Sequence, residues 1–217
     1  MTVQDKSIIS KLKKGFTLVE LLIVIGLLGA IALIVISAIN PIEQSNRTRD
    51  TRFRTDGGQI VSAIDRFFAS QSKFPWEACA GSSCPYTTGS DDAFGFVSAG
   101  HEGIGLCGSD CTEDGILISN DELKTEFRGR DFIKAVTAPA DSSGQVDKKL
   151  FLGKEEGSSE SVYACFIPLA KATRDKAIAD NKVYSLDFST GARTESTACT
   201  AADDNWTAQA CFVCIPD

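Results

Sequence analysis

The sequence predicts an α+β fold in which a long N-terminal α-helix packs against a small antiparallel β-sheet with disulfide-stapled loops. Three observations lead to this prediction. Residues 16–39 are 24 apolar or small residues with one ionisable group, Glu20. A helical amphipathic pattern continues over residues 42–70, and short strand-like segments alternate with cysteine-containing loops in the rest of the chain. The helix is therefore expected to have a transmembrane half and an amphipathic half.

The apolar run has the length and composition of a membrane-spanning helix. At ~1.5 Å per residue, such a helix crosses a hydrocarbon core of ~30 Å. Three lysines immediately before it, Lys11, Lys13 and Lys14, predict that this flank stays in the cytoplasm. A cleaved secretory signal is the alternative, but such signals have an apolar core of about 7–15 residues. The run is too long for that class, and residues 36–38 match its cleavage site poorly.

The residues at the start of this run point to a known kind of segment. The sequence Lys-Lys-Gly-Phe-Thr-Leu-Val-Glu-Leu-Leu-Ile-Val-Ile at 13–25 resembles the N-terminal signature of type IV prepilins and of their relatives, the pseudopilins. In that family a membrane peptidase cuts after the glycine and methylates the new N-terminal residue. The resemblance implies cleavage between Gly15 and Phe16, so that Phe16 becomes the N-methylated first residue of the mature chain.

The resemblance also implies that Glu20 acts in assembly. A carboxylate inside a membrane costs roughly 2.5–3.5 kcal/mol on insertion scales and usually has a partner there. In the family this glutamate pairs with the terminal amine of a neighbouring subunit, which here is the amine of Phe16. Phe16 and Glu20 are also one helical turn apart, so the sequence leaves an intramolecular pair open. Cleavage before the apolar segment leaves a helix that can leave lipid only by packing among like helices.

The chain is expected to contain four segments, with a bend or loosening of the helix at Pro41. Residues 77–217 have the size of one domain. The predicted segments are a leader at 1–15, a transmembrane and filament-core helix at 16–40, an amphipathic continuation with its exit turn at 41–76, and a cysteine-rich globular head at 77–217.

The amphipathic segment is predicted to pack one apolar stripe against the head. The stripe consists of Phe53, Ile60, Val61, Ile64, Phe67 and Phe68. Residues 67–76, an aromatic pair followed by a polar turn and an aromatic-proline step, resemble the end of the long helix in pilins and pseudopilins. A helix stop is also predicted there because the residue before Pro75 is pushed out of the helical region. A cluster of four arginines, at 47, 49, 52 and 54, is interpreted as a solvated face or a source of salt bridges, with DNA contact as the less favoured alternative.

The head is predicted to contain an antiparallel sheet and a long loop region. Residues 149–153, 161–168, 183–188 and 211–215 have the composition of strands, and in 183–188 the residues Tyr184, Leu186 and Phe188 are expected to form one buried face. Residues 77–120 are predicted to be mostly loop. Ser119 and Glu122 indicate a capping box that opens a helix through about Phe127.

All eight cysteines follow the apolar run, so they are predicted to form structural disulfides outside the cytoplasm. Short loops between Cys79 and Cys84 and between Cys107 and Cys111, or crossed pairs, would staple the loop region. The resemblance implies that the C-terminal cysteines fasten the tail, but the connectivity is open. Zinc binding and a redox-active Cys211-x-x-Cys214 are alternatives. The cysteines are Cys79, Cys84, Cys107, Cys111, Cys165, Cys199, Cys211 and Cys214.

The sequence offers no catalytic constellation, so we expect no enzyme activity, cofactor or metal centre. Acidic residues near 91 and 110–114 could bind calcium, but they lack EF-hand spacing. Two Asn-x-Thr sequons, at Asn46 and Asn205, permit glycosylation. Without residues 1–15 the net charge falls from −7 to −10, because four lysines and one aspartate are lost, and this argues against a general grip on nucleic acid.

The expected function is that of a type IV pilus subunit used for adhesion, twitching motility or DNA uptake. Its expected partners are prepilin peptidase, the pilus assembly machinery, the membrane before assembly, and further copies of itself in a helical homopolymer. The precursor is expected in the cytoplasmic membrane and the mature chain in an extracellular filament. A pseudopilin of a secretion or competence system is the first alternative, and a membrane-tethered thiol oxidoreductase is a remote one.

Overall fold

The described chain forms two compact units that divide after Pro41. The first unit contains one apolar helix. The second contains an amphipathic helix, shorter helices and two β-sheets. The predicted division into four segments is not tested by this arrangement and stays a prediction. The computed structural model describes residues 15–38, 40–79, 84, 86–87, 89–108 and 111–216, with the backbone alone for Ser37 and Ala38, so the predicted leader lies outside it except for Gly15.

The elements confirm the predicted α+β class. The helices are α1 (Leu18–Ala38), α2 (Pro41–Gln71), α3 (Pro75–Ala78), α4 (Ile116–Ser119), α5 (Asp131–Lys134) and α6 (Lys171–Ala179). The strands are β1 (Phe94–Ser98), β2 (Phe151–Lys154), β3 (Val162–Phe166), β4 (Tyr184–Leu186), β5 (Arg193–Glu195) and β6 (Val213–Ile215).

The long helical region is interrupted where the sequence predicts a bend. Helix α1 ends at Ala38, Asn40 is not helical, and α2 begins at Pro41. Proline is well suited to the first position of a helix, because its ring fixes a helical φ and its missing N–H would have no intrahelical acceptor there. The proline is therefore the first residue of a second helix.

The amphipathic stripe of α2 faces the sheet, as predicted. Phe53, Ile60, Ile64 and Phe67 are each at most 2% exposed. Gly57 lies on the same face, where an added Cβ would come within 3.1 Å of the Cβ of Ala164. The glycine thus lets the helix axis approach the sheet closely, which is a use that the sequence alone did not reveal.

The main sheet is antiparallel throughout, with the strand order β1-β2-β3-β6. Its predicted strands at 149–153, 161–168 and 211–215 correspond to β2, β3 and β6, with shifted ends. Strand β1 was not predicted, because residues 77–120 were assigned mostly to loop. That assignment is wrong for β1, for α4 and for a 3-10 helix at Glu102–Ile104.

The 183–188 prediction was only partly correct. Strand β4 forms, but it pairs with β5 in a separate two-stranded sheet, which an isolated bridge between Tyr184 and Phe212 joins to the C-terminal region. Tyr184 and Leu186 are half-buried and Phe188 is 40% exposed, so the expected single buried face is wrong. A two-stranded sheet offers too little neighbouring surface to cover a whole face.

The predicted helix after a capping box at Ser119 and Glu122 is wrong. Helix α4 ends at Ser119, and Asp121 adopts a left-handed φ of 59°. The Glu122 carboxylate accepts a hydrogen bond from Nε of Arg66, at 2.9 Å, and Arg66 also binds the Glu122 carbonyl oxygen. A turn and a 3-10 helix at Thr125–Gly129 follow. Arg66 of α2 therefore binds the Glu122 carboxylate, which the local pattern predicts to cap a helix.

The aromatic-proline step ends α2 and builds part of the core. Phe74 stacks on Phe68 of α2 at 4.4 Å between ring centroids, and Trp76 stacks on Phe74 at 4.6 Å. Trp76 in turn stacks on Phe94 of β1 at 4.3 Å. This continuous stack connects the end of α2 to the first strand, and aromatic pairs of this kind contribute roughly 0.5–1.5 kcal/mol beyond their buried area.

Candidate processing and assembly segment

The predicted processing bond lies immediately before α1. Gly15, Phe16 and Thr17 are not helical, and all three are exposed in the chain. Helix α1 begins at Leu18, which is also the first residue of its apolar stretch. The roles of Gly15 and Phe16 in processing stay predictions, since the residues before Gly15 lie outside the described part of the chain.

Thr17 and Glu20 form a capping box at the start of α1. The Thr17 hydroxyl oxygen accepts from the backbone N–H of Glu20 at 3.2 Å. The Glu20 carboxylate accepts from the backbone N–H and from the hydroxyl of Thr17, both at 2.8 Å. This reciprocal arrangement satisfies donors that a helix N-terminus otherwise leaves free.

The structure therefore gives Glu20 a local partner that sequence reasoning missed. The signal was present, since Thr17 and Glu20 have the Thr-x-x-Glu spacing of a capping box. The sequence leaves open a pair between Glu20 and the amine of Phe16 in the same chain. The donor observed here is instead Thr17, the residue after Phe16. The box holds the carboxylate at the N-terminal turn of α1, near the predicted new terminus.

Helix α1 exposes its whole apolar surface. Among the described residues, it is the helix whose length and apolar composition would allow it to cross a membrane. Its mean hydropathy over Leu18–Ile36 is 3.0, and no side chain of that stretch is buried. Nineteen residues span roughly 28 Å at ~1.5 Å per residue. Neither Gly26 nor Gly29 has a described atom within 4 Å of an added Cβ. This helix requires lipid or other chains around it.

The eight cysteines form four disulfides. Cys165 and Cys214 are directly opposed residues of β3 and β6, so their bond fastens the C-terminal strand to the sheet. The two short loops match the prediction, whereas the sequence did not assign the other two pairs. The bonds are Cys79–Cys84, Cys107–Cys111, Cys165–Cys214 and Cys199–Cys211.

This connectivity contradicts the zinc and redox alternatives. Cys211 and Cys214 each bond to a different, distant cysteine and not to each other. Both sulfurs are at most 1% exposed at the residue level. A thiol oxidoreductase needs two accessible cysteines that form a disulfide with each other, and a cysteine that binds zinc must be a free thiolate. The part of the chain that the structure describes contains no group of three or more metal-ligating side chains.

Two carboxylates of α2 cap α6 from a distance, which the sequence did not predict. Asp50 is 3% exposed and accepts from the backbone N–H groups of Leu169 and Ala170 at 2.9–3.1 Å. Glu43 accepts from the backbone N–H groups of Lys171 and Ala172 at 3.1 and 3.3 Å. These bonds supply acceptors to the first turn of α6 and fasten the N-terminal half of α2 to the head.

The clustered arginines at positions 47, 49 and 52 form salt bridges. Arg47 pairs with Glu43 at 3.1 Å, and Arg52 lies 3.7 Å from Asp131. Arg49 pairs with Asp50 at 3.1 Å and also donates to the carbonyl oxygens of Ile167 and Asp147. Burial lowers the pKa of Arg49, and the carboxylate of Asp50 opposes that effect. These contacts support the salt-bridge interpretation over DNA contact.

Comparison with known proteins finds one family at the N-terminus. Residues 10–36 match the family model described as the prokaryotic N-terminal methylation motif. No curated protein and no solved structure matches the chain significantly. The matched residues contain the basic flank, the predicted cleavage bond, the capping box and nearly all of α1. At residues 10–36 the chain thus carries the class III signal that type IV pilins and pseudopilins share.

Proposed function

We propose that the chain is a structural subunit of a type IV pilus, with no catalytic activity of its own. Prepilin peptidase removes residues 1–15 and methylates the amine of Phe16. The mature chain then leaves the membrane and polymerises through α1 into a surface filament that serves adhesion, twitching motility or DNA uptake.

The observation that carries this proposal is the exposure of every apolar side chain of α1 from Leu18 to Ile36. Burying one large apolar side chain contributes roughly 1.5–3 kcal/mol, and α1 presents many that no described residue of the chain covers. Lipid supplies the cover before cleavage. Copies of the same helix supply it in a polymer, and Gly26 and Gly29 let such helices approach each other closely.

Glu20 has the position that an assembly residue requires. Cleavage after Gly15 creates a positive amine four residues before this carboxylate. In a filament core, a Glu20 carboxylate and the amine of a neighbouring Phe16 would both lose water. An ion pair between them would offset that cost of desolvation. The capping box already holds the carboxylate at the end of the helix, which reduces the rearrangement needed to meet an incoming amine.

The disulfides support a head that lies in an oxidising compartment outside the cytoplasm, as both a surface filament and a periplasmic one require. Four covalent links close the head, including one that secures the C-terminal strand. Disulfides persist in oxidising compartments outside the cytoplasm. A head fixed in this way resists unfolding under the shear that a surface filament experiences.

Electron microscopy of filaments sheared from cells, with mass spectrometry of their subunits, tests the proposal. We expect this chain, beginning at methylated Phe16, to be a component of filaments that extend beyond the envelope. Glu20→Ala should abolish its incorporation, while the matched surface change Glu156→Ala should leave it intact. Processed chain that never enters external filaments, but remains in the envelope, would overturn the pilus proposal in favour of a pseudopilin.

A further inference from the structure

We propose that Asn205 is an acceptor for an N-linked glycan and that the second sequon, at Asn46, is not. The inference rests on the proposed function in one respect, because it requires the head to lie outside the cytoplasm. The two sequons have the same local form, Asn-x-Thr, but the structure places them in opposite surroundings.

Asn205 presents its amide nitrogen to solvent. Its side chain is exposed, and its Oδ1 accepts from the backbone N–H of Ala208 at 3.1 Å. This bond engages the amide oxygen at the start of a turn, and no hydrogen bond joins Nδ2 to a described residue. Thr207, the third sequon residue, is exposed as well. Both side chains that define the acceptor sequence are therefore accessible together.

The middle residue of this sequon anchors the loop. Trp206 is fully buried, and its Nε1 donates to the carbonyl oxygen of Ala201 at 3.1 Å. The disulfide between Cys199 and Cys211 closes the same loop. A glycan on Asn205 would thus project outward from a fixed base without disturbing the core.

Asn46 lies in a helix and is already engaged. It is half-buried within α2, and its Nδ2 donates to the carbonyl oxygen of Leu169 at 3.4 Å. The hydroxyl of Thr48 donates to the carbonyl oxygen of Gln44 at 2.9 Å, one helical turn earlier. Transfer to this asparagine would break the contact between α2 and the segment that leads into α6.

The glycan donor for this transfer is an oligosaccharide carried on a polyprenyl pyrophosphate. The Asn205 Nδ2 forms a bond to the anomeric carbon, the bond from that carbon to the phosphate oxygen breaks, and the lipid pyrophosphate leaves. One amide proton passes to a base of the transferase. Because α1 anchors the precursor in the same membrane as the donor lipid, the effective concentration of acceptor is high before assembly.

One tryptic digest of the chain isolated from its own cells separates the relevant outcomes. Cleavage after Arg47 gives the peptide 16–47, which reports both the Phe16 terminus and Asn46. Cleavage after Arg193 gives the C-terminal peptide 194–217, which contains Asn205. We expect glycan mass on 194–217 alone. An unmodified 194–217 peptide would overturn this inference, whatever the state of Phe16, whereas an unprocessed terminus would contradict the proposed function instead.

Variants make the assignment specific. Asn205→Gln and Thr207→Ala should each remove the added mass, because either change destroys the sequon. Thr207→Ser keeps the hydroxyl and should retain the mass, and the matched control Asn46→Gln should leave it unchanged. A modification that survives Thr207→Ala, or that moves with Asn46, would contradict an N-linked glycan at Asn205.

Discussion

Helices α1 and α2 follow one another in the chain but cover their apolar surfaces in different ways. In α1 all apolar side chains from Leu18 to Ile36 are exposed. In α2 the apolar side chains between Phe53 and Phe67 form one stripe, and the head buries it. The difference teaches that the head is a self-contained fold, whereas α1 is completed only by lipid or by other chains. Substitutions should therefore affect assembly or head stability separately, according to the helix or sheet in which they lie.

The largest expected effect is on assembly and arises in the first turn of α1. Glu20→Ala should cut the yield of sheared filaments at least tenfold, because removing one partner of a buried ion pair costs roughly 3–5 kcal/mol. Thermal unfolding of the head should not change, since Glu20 hydrogen-bonds to Thr17, which lies just before α1 and outside the head. A drop in head stability together with normal filament yield would reverse the comparison.

The next largest effect concerns the head and follows from loop length. Cys165→Ala/Cys214→Ala opens a 49-residue separation, whereas Cys79→Ala/Cys84→Ala opens a separation of 5. The loop-entropy relation predicts losses of ~4 and ~2 kcal/mol in the free energy of unfolding. Denaturant unfolding of the two variants should preserve this order. Equal losses would show that the C-terminal strand is held mainly by its sheet contacts.

Neighbouring glycines of α2 should respond in opposite directions. Gly57→Val pushes side-chain atoms into Ala164 and Ile215 and should cost about 1–3 kcal/mol of head stability. Gly58 has its nearest neighbour at 3.8 Å, so Gly58→Ala has room and should gain up to ~1 kcal/mol from helix propensity. Urea unfolding of both variants checks this pair. A stabilising Gly57→Val would mean that α2 does not pack closely on the sheet.

The smallest effect is a pH dependence in the turn after β4. Hydrogen bonds from the Ser189 side chain and from the backbone N–H groups of Ser189 and Thr190 lower the pKa of Asp187 from its ordinary 3.8 to about 2. The ionised form therefore stabilises this turn above about pH 4, and the contribution is lost as the pH falls from about 4 to about 2. A carboxyl titration by NMR should give a midpoint near 2, and Ser189→Ala should raise it. A midpoint at the ordinary value would contradict these hydrogen bonds.

The sequence predicts most of what depends on periodicity and nearby residues. The stripe of α2, the helix break at Pro41 and the disulfide loops at Cys79–Cys84 and Cys107–Cys111 are local patterns, and all are confirmed. Strand β1 had a usable signal too, because Phe94 and Phe96 are two positions apart, and both are buried on one face of the strand. The Gly, Ser and Asp residues around it obscured that signal.

What the sequence could not predict depends on distant partners. Glu122 has the spacing of a cap but binds Arg66, and Asp50 caps a helix more than a hundred residues away. The bond between Cys165 and Cys214 requires the register of β3 and β6. Lys149 has strand-like neighbours, yet it is buried and donates to the carbonyl oxygens of Asp141 and Ser143. None of these partners can be chosen without the fold.

Mass spectrometry and N-terminal sequencing of the mature chain test the central claim most directly. The claim is that cleavage places the N-terminus of the mature chain just before α1, and that disulfides pair all eight cysteines of the head. We predict a first residue of N-methylated Phe16, and a gain of eight hydrogens when all four disulfides are reduced. A chain that retains Met1, or one whose first residue lies elsewhere within residues 17–40, would contradict the account.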